Sequence, residues 1–169
     1  MYATAAPGTS PGAAVGEGMS NDETLAAIRR FLTRQHIVTL AAGQEEALWC
    51  ADCFYVLDAP TMTLYLLTSP ASHHGQLMSA NPRVVGTVAH QTRSVAKIQG
   101  IQFHGRIACL GGEAAAAAYA AYYRRFPLAR ARPSPVWGLR LMRVKMTDNT
   151  CGFGHKRHWA REGEPVGVY

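Results

Sequence analysis

The sequence predicts a predominantly antiparallel α+β domain of about six to seven strands that closes into a barrel, with helices at its flanks. The first observation behind this is size, because 169 residues with 48% hydrophobic residues suit one domain with one core. The second is a series of short segments rich in β-branched and aromatic residues, joined mostly by tight turns. The third is that only three helical patterns accompany them. A barrel is favoured because closure removes the exposed edges of a sheet.

The chain begins with a stretch that has no periodic pattern. Residues 1–18 are almost entirely Gly, Ala, Pro, Ser and Thr, a composition that buries too little apolar surface to offset the entropy of ordering. We expect a disordered tail over 1–18, one domain over 19–162 and a C-terminal tail over 163–169. No Lys or Arg precedes Arg29 and no apolar run has the length of a signal or membrane span. These features predict a cytoplasmic protein that does not cross the membrane.

The first helix is predicted from its capping motif. Ser20 is followed three residues later by Glu23, which fits a capping box in which each side chain accepts a hydrogen bond from the other residue's amide. Leu25, Ile28 and Leu32 then fall on one helical face. We therefore expect the ordered domain to open with an amphipathic helix.

Seven segments after this helix have the composition of strands. They are residues 36–42, 47–58, 62–68, 83–91, 94–110, 136–148 and 151–160. Gly100 and Gly105 stand where a bulge or sharp bend is expected in the fifth segment. Helices are predicted over 72–80, where Pro82 disfavours helix in the preceding residue, and over the alanine-rich segment 113–126.

Charge is distributed unevenly along the chain. Residues 1–80 carry 3 basic and 7 acidic side chains, or −4, whereas residues 81–169 carry 14 and 4, or +10. Such an asymmetry suggests that the second half meets an anion, which could be a phosphorylated cofactor, an acidic surface or nucleic acid. A solvated basic face without a partner is the alternative.

The cysteines do not have the arrangement of a metal or redox site. They are Cys50, Cys53, Cys109 and Cys151. Cys50 and Cys53 form a CxxC pair, but within a strand residues three apart point to opposite faces, so the pair cannot chelate one ion. We expect four reduced thiols, since the cytosol opposes structural disulfides, and no metal.

A candidate anion site lies where an apolar run ends at Thr68. Thr68, Ser69 and Ser72 supply hydroxyl groups, and the helix that begins near Ser72 presents its first backbone amides. His73 and His74 follow, and an imidazolium there would add positive charge. Adjacent histidines diverge by about 100° on a helix, so they are poor joint metal ligands. The alternative is that the hydroxyls only cap the helix and the histidines lie on the surface.

Six segments taken together resemble the FMN-binding split-barrel superfamily, whose best-known member is pyridoxamine phosphate oxidase, and within it the YhbP-like branch. The resemblance runs from about Glu23 to Trp159. Its most specific pieces are LWCADCFYVLD (48–58), TSPASHHGQL (68–77), GTVAHQ (86–91), KIQGIQFHG (97–105), YRRFPLAR (123–130) and TDNTCGFG (147–154). The resemblance implies a split β-barrel.

In that superfamily a Thr-x-x-x-Ser-x-Lys loop holds the flavin phosphate. Thr68 and Ser72 match this pattern, and His74 stands where the lysine is expected. Imidazole is charged only part of the time near neutral pH unless a phosphate dianion favours its protonated form. The resemblance therefore implies an FMN phosphate site made of Thr68, Ser69, Ser72, His73 and His74.

Lys97 and Gln99 are the other candidate cofactor contacts. They are two residues apart in a predicted strand, so they share a face. In relatives, a polar pair at the equivalent strand contacts the flavin ring or phosphate. A solvent-facing pair is the alternative for this chain.

The resemblance implies a homodimer with FMN between the subunits and an FMN-dependent oxidoreductase of unknown substrate. The flavin would carry out the redox chemistry, so no catalytic residue can be assigned from the sequence. One alternative is a non-catalytic basic module that binds nucleic acid or another polyanion, which is not favoured because the basic residues are scattered over different predicted elements. Another is a split barrel that binds deazaflavin or haem.

Overall fold

The computed structural model describes residues 20–44 and 46–164. The predicted tail over 1–18 and all but the first two residues of the predicted tail over 163–169 therefore lie outside the described residues. Within the described ranges, no helix is long and apolar enough to cross a membrane.

The described chain alternates a few helices with strands along its length. The helices are α1 (Asn21–Arg34), α2 (His73–Ala80) and α3 (Gly112–Arg125). The strands are β1 (Ile37–Gln44), β2 (Ala47–Asp58), β3 (Thr63–Leu67), β4 (Arg83–Ala89), β5 (Gln99–Cys109), β6 (Val136–Asp148) and β7 (Lys156–Ala160). Short 3-10 turns cover Val95–Lys97, Pro127–Ala131 and Asn149–Cys151.

The strands form one antiparallel sheet in the order β3-β2-β1-β4-β5-β6-β7. β3 also pairs with β6, which closes the sheet into a barrel. The predicted α+β split-barrel fold is confirmed.

The splitting of the barrel is visible along one edge of β6. Its first half, 136–140, pairs with β3, and its second half, 143–147, pairs with β7. Met142 lies between the two halves, and opposite it the β5–β6 register shifts between His104 and Gly105. The bulge expected at Gly105 is therefore confirmed, whereas Gly100 is paired regularly on both sides.

Helix α1 is fixed by the predicted capping box and by its apolar face. The Ser20 hydroxyl accepts from the Glu23 amide at 3.2 Å, and the Glu23 carboxylate accepts from the Ser20 amide at 3.0 Å. Phe31 and Leu32 are fully buried in the barrel core. The hydroxyl of buried Tyr55 donates to the Leu32 carbonyl at 2.7 Å, so β2 supplies a partner for a carbonyl in the last turn of the helix.

Two predicted strand segments begin five residues later than the sequence suggested. Residues 94–98, predicted as strand, form an exposed turn around Val95–Lys97, in which the Asn149 amide group donates to the Val95 carbonyl at 2.7 Å. Residues 151–155 also lie outside the sheet. Gly152 and Gly154 adopt φ of 127° and 73°, a left-handed conformation that ends a strand.

The CxxC pair has the geometry expected of a strand. Cys50 is exposed and Cys53 is buried, on opposite faces of β2. Burial, followed by the charge of Asp52, raises the pKa of the Cys53 thiol to about 11. All four cysteines are free thiols.

Candidate functional site

The predicted anion loop lies at one end of the barrel, between the end of β3 and the start of α2. The Thr68 amide donates to the Pro135 carbonyl at 3.2 Å. The indole N–H of buried Trp137 donates to the Thr68 carbonyl at 3.0 Å. Because both contacts come from the start of β6, the backbone of Thr68 is held by the sheet on its amide and carbonyl sides.

The side chains of this loop converge on the His74 imidazole. Its Nε2 lies 2.6 Å from the Thr68 hydroxyl and 3.2 Å from the Ser72 hydroxyl. Ser72 also caps α2, since its oxygen accepts from the Gly75 amide at 3.1 Å, and it donates its one hydrogen to the Ser69 carbonyl at 2.6 Å. The structure thus brings together three of the predicted residues, Thr68, Ser72 and His74, with Ser69 beside them.

This network limits the possible hydrogen positions around His74. The hydrogen of Ser72 is already donated to a carbonyl, so toward His74 its oxygen can only accept. The direction of the hydrogen bond between Thr68 and His74 depends on the tautomer; with a hydrogen on Nε2, the imidazole donates and the Thr68 hydroxyl hydrogen is available for a ligand. The Ser69 oxygen accepts from the Ala71 amide at 3.2 Å, and its hydrogen is likewise available.

The electrostatic state of His74 depends on its surroundings. Burial lowers the pKa of His74, and the charge of neighbouring His73 lowers it further. The lowered pKa favours the neutral imidazole at pH 7. The amides of His73 and His74, the first residues of α2, have no partner within the helix and add positive character at this end.

The His73 side chain faces Trp49 and not the hydroxyl groups of the loop. Its imidazole is exposed and meets the half-exposed Trp49 ring edge-on, with ring centres 5.2 Å apart. The expectation that adjacent histidines diverge is confirmed, because only His74 faces the hydroxyl groups.

Lys97 and Gln99 lie at the opposite end of the barrel. Gln99 pairs with Asp148 at the end of β6, whereas Thr68 lies beside the start of that strand. Measured along β6 at about 3.3 Å per residue, the positions beside Gln99 and Thr68 are roughly 35 Å apart. Lys97 is exposed in the turn before β5. Within one chain, the structure does not bring these two residues to the anion loop.

Gln99 takes part in a cluster around buried Asp148. Its amide group donates to the Asp148 carboxylate at 3.0 Å, and the Thr150 amide donates to the same oxygen at 3.1 Å. Burial raises the pKa of Asp148, but hydrogen bonds from Thr150, Gln99 and Cys151 outweigh it, so the pKa lies below its ordinary value. This cluster fastens the turn after β6 to the start of β5.

A cleft on the outer face of the sheet was not anticipated from the sequence. It has a volume of about 290 Å³ and lies across β4, β5 and β6. It is lined by Val85, Gln102, Phe103, His104, Arg143, Val144 and Lys145. The signal that could have revealed it is the period of two in strands, which puts Gln102 and His104 on one face of β5 and Arg143 and Lys145 on one face of β6. That these two faces are adjacent depends on the register.

Comparisons with known proteins support the fold. No protein-family model matches the chain. A UPF0306 protein of Yersinia pseudotuberculosis (serotype O:3, strain YPIII) is 48% identical over 143 residues, which are 85% of this chain and 97% of that protein.

Two solved structures have the same fold at low sequence identity. A haem-binding protein from Mycobacterium smegmatis superimposes with a TM-score of 0.67 and 21% identity over 85% of this chain, which spans only 59% of the mycobacterial chain. An FAD-binding protein from Mesorhizobium loti superimposes with a TM-score of 0.60 and 17% identity, over 72% of this chain and 90% of that one. The barrel is thus shared with binders of two different cofactors.

Proposed function

The chain belongs to the UPF0306 family, and from this premise we propose that it is a cofactor-binding split-barrel protein that holds FMN by its phosphate. In this proposal it is a YhbP-like member of the FMN-binding superfamily, works in the cytoplasm and transfers electrons as an oxidoreductase. One observation carries the proposal. The hydroxyl groups of Thr68 and Ser72 converge on the His74 imidazole at the start of α2.

The groups at this loop suit a phosphate. Hydroxyl hydrogens of Thr68 and Ser69 and the first two amides of α2 are donors, and phosphate oxygens are acceptors. Ser72 acts as a positioning residue, because its oxygen caps the helix and holds the Ser69 carbonyl. A dianion nearby favours the charged imidazole, so phosphate binding would raise the lowered pKa of His74 and convert a neutral hydrogen bond into a charge-assisted one.

Bound FMN would supply hydride or electron-pair transfer through its ring. The chain's own contribution at the loop is to bind and orient the phosphate. His73 and Trp49 form an exposed aromatic surface beside it, which suits the flat face of a ring system. The substrate and the electron donor or acceptor are not part of the proposal.

A homodimer would explain how Lys97 and Gln99 contact the cofactor although they lie far from the anion loop of their own chain. Lys97 and Gln99 cannot reach the loop of their own chain, but a second copy could bring its pair to the first copy's cofactor. An interface is supported by large apolar side chains exposed on the outer face of the sheet, because such surfaces mark interaction sites. They include Ile37 on β1 and Phe54 on β2, which are 42% and 52% exposed. We propose that FMN lies between two subunits joined through this face.

Haem is the second candidate cofactor, and the exposed imidazole of His73 favours it. A neutral imidazole is a common axial ligand of haem iron, and the neighbouring Trp49 ring could pack against a porphyrin. The haem-binding protein with the same fold adds support. Binding of nucleic acid is not favoured, since the basic residues of the second half are distributed over different elements, such as Arg124 on α3, Arg130 in a 3-10 turn and Arg143 on β6.

Spectroscopy of purified protein and two matched variants tests these proposals. FMN titration of the wild-type protein should quench flavin fluorescence saturably. His74→Ala should weaken FMN binding by about 1.5–3 kcal/mol, or roughly 10- to 150-fold, because it removes the imidazole that becomes charged beside the phosphate. His73→Ala, its neighbour, should leave FMN affinity within about twofold, since His73 faces Trp49.

The same pair of variants separates the cofactors. If haem is the ligand, a Soret band should appear on haem addition and should shift in His73→Ala but not in His74→Ala. A flavin titration without a saturable signal, or unchanged FMN affinity in His74→Ala, would contradict the flavin proposal.

A further inference from the structure

The cleft on the outer face of β4, β5 and β6 is separate from the anion loop. His104 pairs with Arg143 at mid-strand, and the end of β5 that lies near Thr68 is Cys109, five residues further on. This corresponds to roughly 15 Å of strand. No residue lining the cleft belongs to the loop or to α2. An inference about the cleft therefore does not depend on FMN.

The strand register places the polar side chains of the cleft next to one another. Val85, His104 and Arg143 are direct cross-strand neighbours on β4, β5 and β6. Gln102 and Lys145 face each other in the same way two residues further along. Side chains directly opposite in neighbouring strands have Cβ atoms about 5 Å apart, so an imidazole, a guanidinium, an ammonium and an amide group border one small space.

The remaining lining is apolar. Val85 is about half exposed and lies on the same face as His104 and Arg143, whereas Phe103 and Val144 are buried in the core and border the cleft from the inner face. A volume of about 290 Å³ is at the lower end of the roughly 300–1,000 Å³ usual for ligand pockets. The occupant is therefore small, with an apolar body of a single ring or a short chain and a polar end.

Among the described residues, cations outnumber acids around His104 in the cleft. The charged groups that act on His104 are Arg143, Arg106 and Arg83 from the strands and Glu164, the one acid among them. Burial lowers the pKa of His104; Arg143 then lowers it further, Glu164 raises it, and Arg106 and Arg83 lower it again. Burial is the main cause of the lowered pKa, and the three arginines that add to it indicate a positive potential that an anion would relieve.

One atom of His104 is left unsatisfied. Its Nδ1 is buried and, among the described residues, makes no hydrogen bond. Buried polar groups without a partner cost free energy and usually have one, so a ligand group in the cleft could supply it.

We propose that this cleft binds a small organic anion, a phosphate monoester or a carboxylate attached to an apolar body. Lys145 and Arg143 contact the anionic group, His104 Nδ1 donates a hydrogen bond to it, and Val85 contacts the body. A polynucleotide fits the cleft less well, because its lining offers no exposed aromatic face on which bases could stack.

NMR titration of histidine ring signals tests this proposal. Phenyl phosphate and benzoate serve as probes of the two anionic groups, and inorganic phosphate serves as a probe without an apolar body. His104 signals, assigned by their loss in His104→Asn, should shift saturably with at least one of the two aromatic probes. They should shift more weakly with inorganic phosphate. The probe that binds more tightly identifies the anionic group.

Two charge-matched variants locate the binding. Lys145→Met should reduce the affinity about tenfold or more, because it removes a charged donor. Arg124→Met removes the same charge from an exposed position on α3 and should leave the affinity within twofold. His74→Ala should also bind the probes normally, which separates this result from the outcome of the flavin experiments.

Several results would overturn the proposal. They are no saturable shift of His104 signals with any probe, equal loss of affinity in Lys145→Met and Arg124→Met, or displacement of the probes by oligothymidylate with a steep salt dependence. The last would assign the surface to nucleic acid. Circular dichroism establishes that each variant is folded, and if His104→Asn does not fold, Lys145→Met and Arg124→Met still decide the question.

Discussion

Gly75 offers a test of how the anion loop is packed against helix α2. A Cβ added at Gly75 would lie 2.3 Å from the Ser69 carbonyl oxygen and 2.9 Å from the Pro70 Cα. Since nonbonded carbon–oxygen contacts begin at about 3.3 Å, the loop would have to move by roughly 1 Å. The obstructing atoms belong to the backbone, which the Trp137 and Ser72 hydrogen bonds hold in place.

Gly75→Ala should therefore destabilise the protein, although alanine usually stabilises a helix. The helix propensity gain is about 1 kcal/mol, and overpacking against backbone is expected at the upper end of about 1–3 kcal/mol. The net loss is about 2 kcal/mol, which for a chain of this size lowers Tm by roughly 4–8 °C. Thermal and urea unfolding followed by circular dichroism measure it.

A matched glycine provides the control. Gly111 is the N-cap of α3, and a Cβ added there would meet nothing within 4 Å. Gly111→Ala changes only the cap preference and should cost less than about 1 kcal/mol. If Gly75→Ala proved as stable as the wild-type protein, the close packing of the loop against α2 would be refuted.

Three further predictions concern buried polar groups. Tyr55→Phe removes the hydroxyl that donates to the Leu32 carbonyl and should lower the free energy of unfolding by about 1–3 kcal/mol in urea titrations, because that carbonyl is left without its partner; a loss under about 0.5 kcal/mol would contradict this. In thiol labelling followed by mass spectrometry, exposed Cys50 should react in the native protein. Cys53 should react only on unfolding, since burial and a neighbouring carboxylate raise its pKa to about 11. The pKa of Asp148 is lowered in the folded protein, so the ionised carboxylate stabilises the fold. This contribution is fully present at pH values above the ordinary pKa of 3.8 and is lost as the pH falls through the lower pKa of the folded state. Asp148→Asn should thus be destabilising at pH 7 and less so near pH 3 in urea unfolding, and an equal loss at both values would contradict this linkage.

Local signals in the sequence were sufficient for much of the fold. The capping box at Ser20 located the start of α1, and strands 47–58 and 136–148 have the predicted bounds. Each of these signals is contained in a few consecutive residues, such as a hydroxyl three positions before a carboxylate or a β-branched run between turn residues. The hydroxyl groups around His74 were also predictable, because a helix cap and the first turn are neighbours in sequence.

Features that depend on distant contacts were not predictable in the same way. Residues 94–98 have strand composition, yet the Asn149 side chain, some fifty residues away, bonds the Val95 carbonyl in a turn. Lys97 and Gln99 were expected near the flavin, but the long β5 carries them to the far end of the barrel from Thr68. The outer cleft depends on register, since a shift of one residue in β6 would turn Arg143 and Lys145 to the opposite face.

The acidic and basic halves of the sequence form different parts of the barrel. Residues 1–80, with −4, supply β1–β3, and residues 81–169, with +10, supply β4–β7, which are adjacent in the sheet. The register even places Arg83, Arg106 and Arg140 directly opposite one another across β4, β5 and β6. Like charges in such positions destabilise a sheet. An anion bound on this side would offset the repulsion, so the arginines that lower the stability of the free protein would raise its affinity for an anionic ligand.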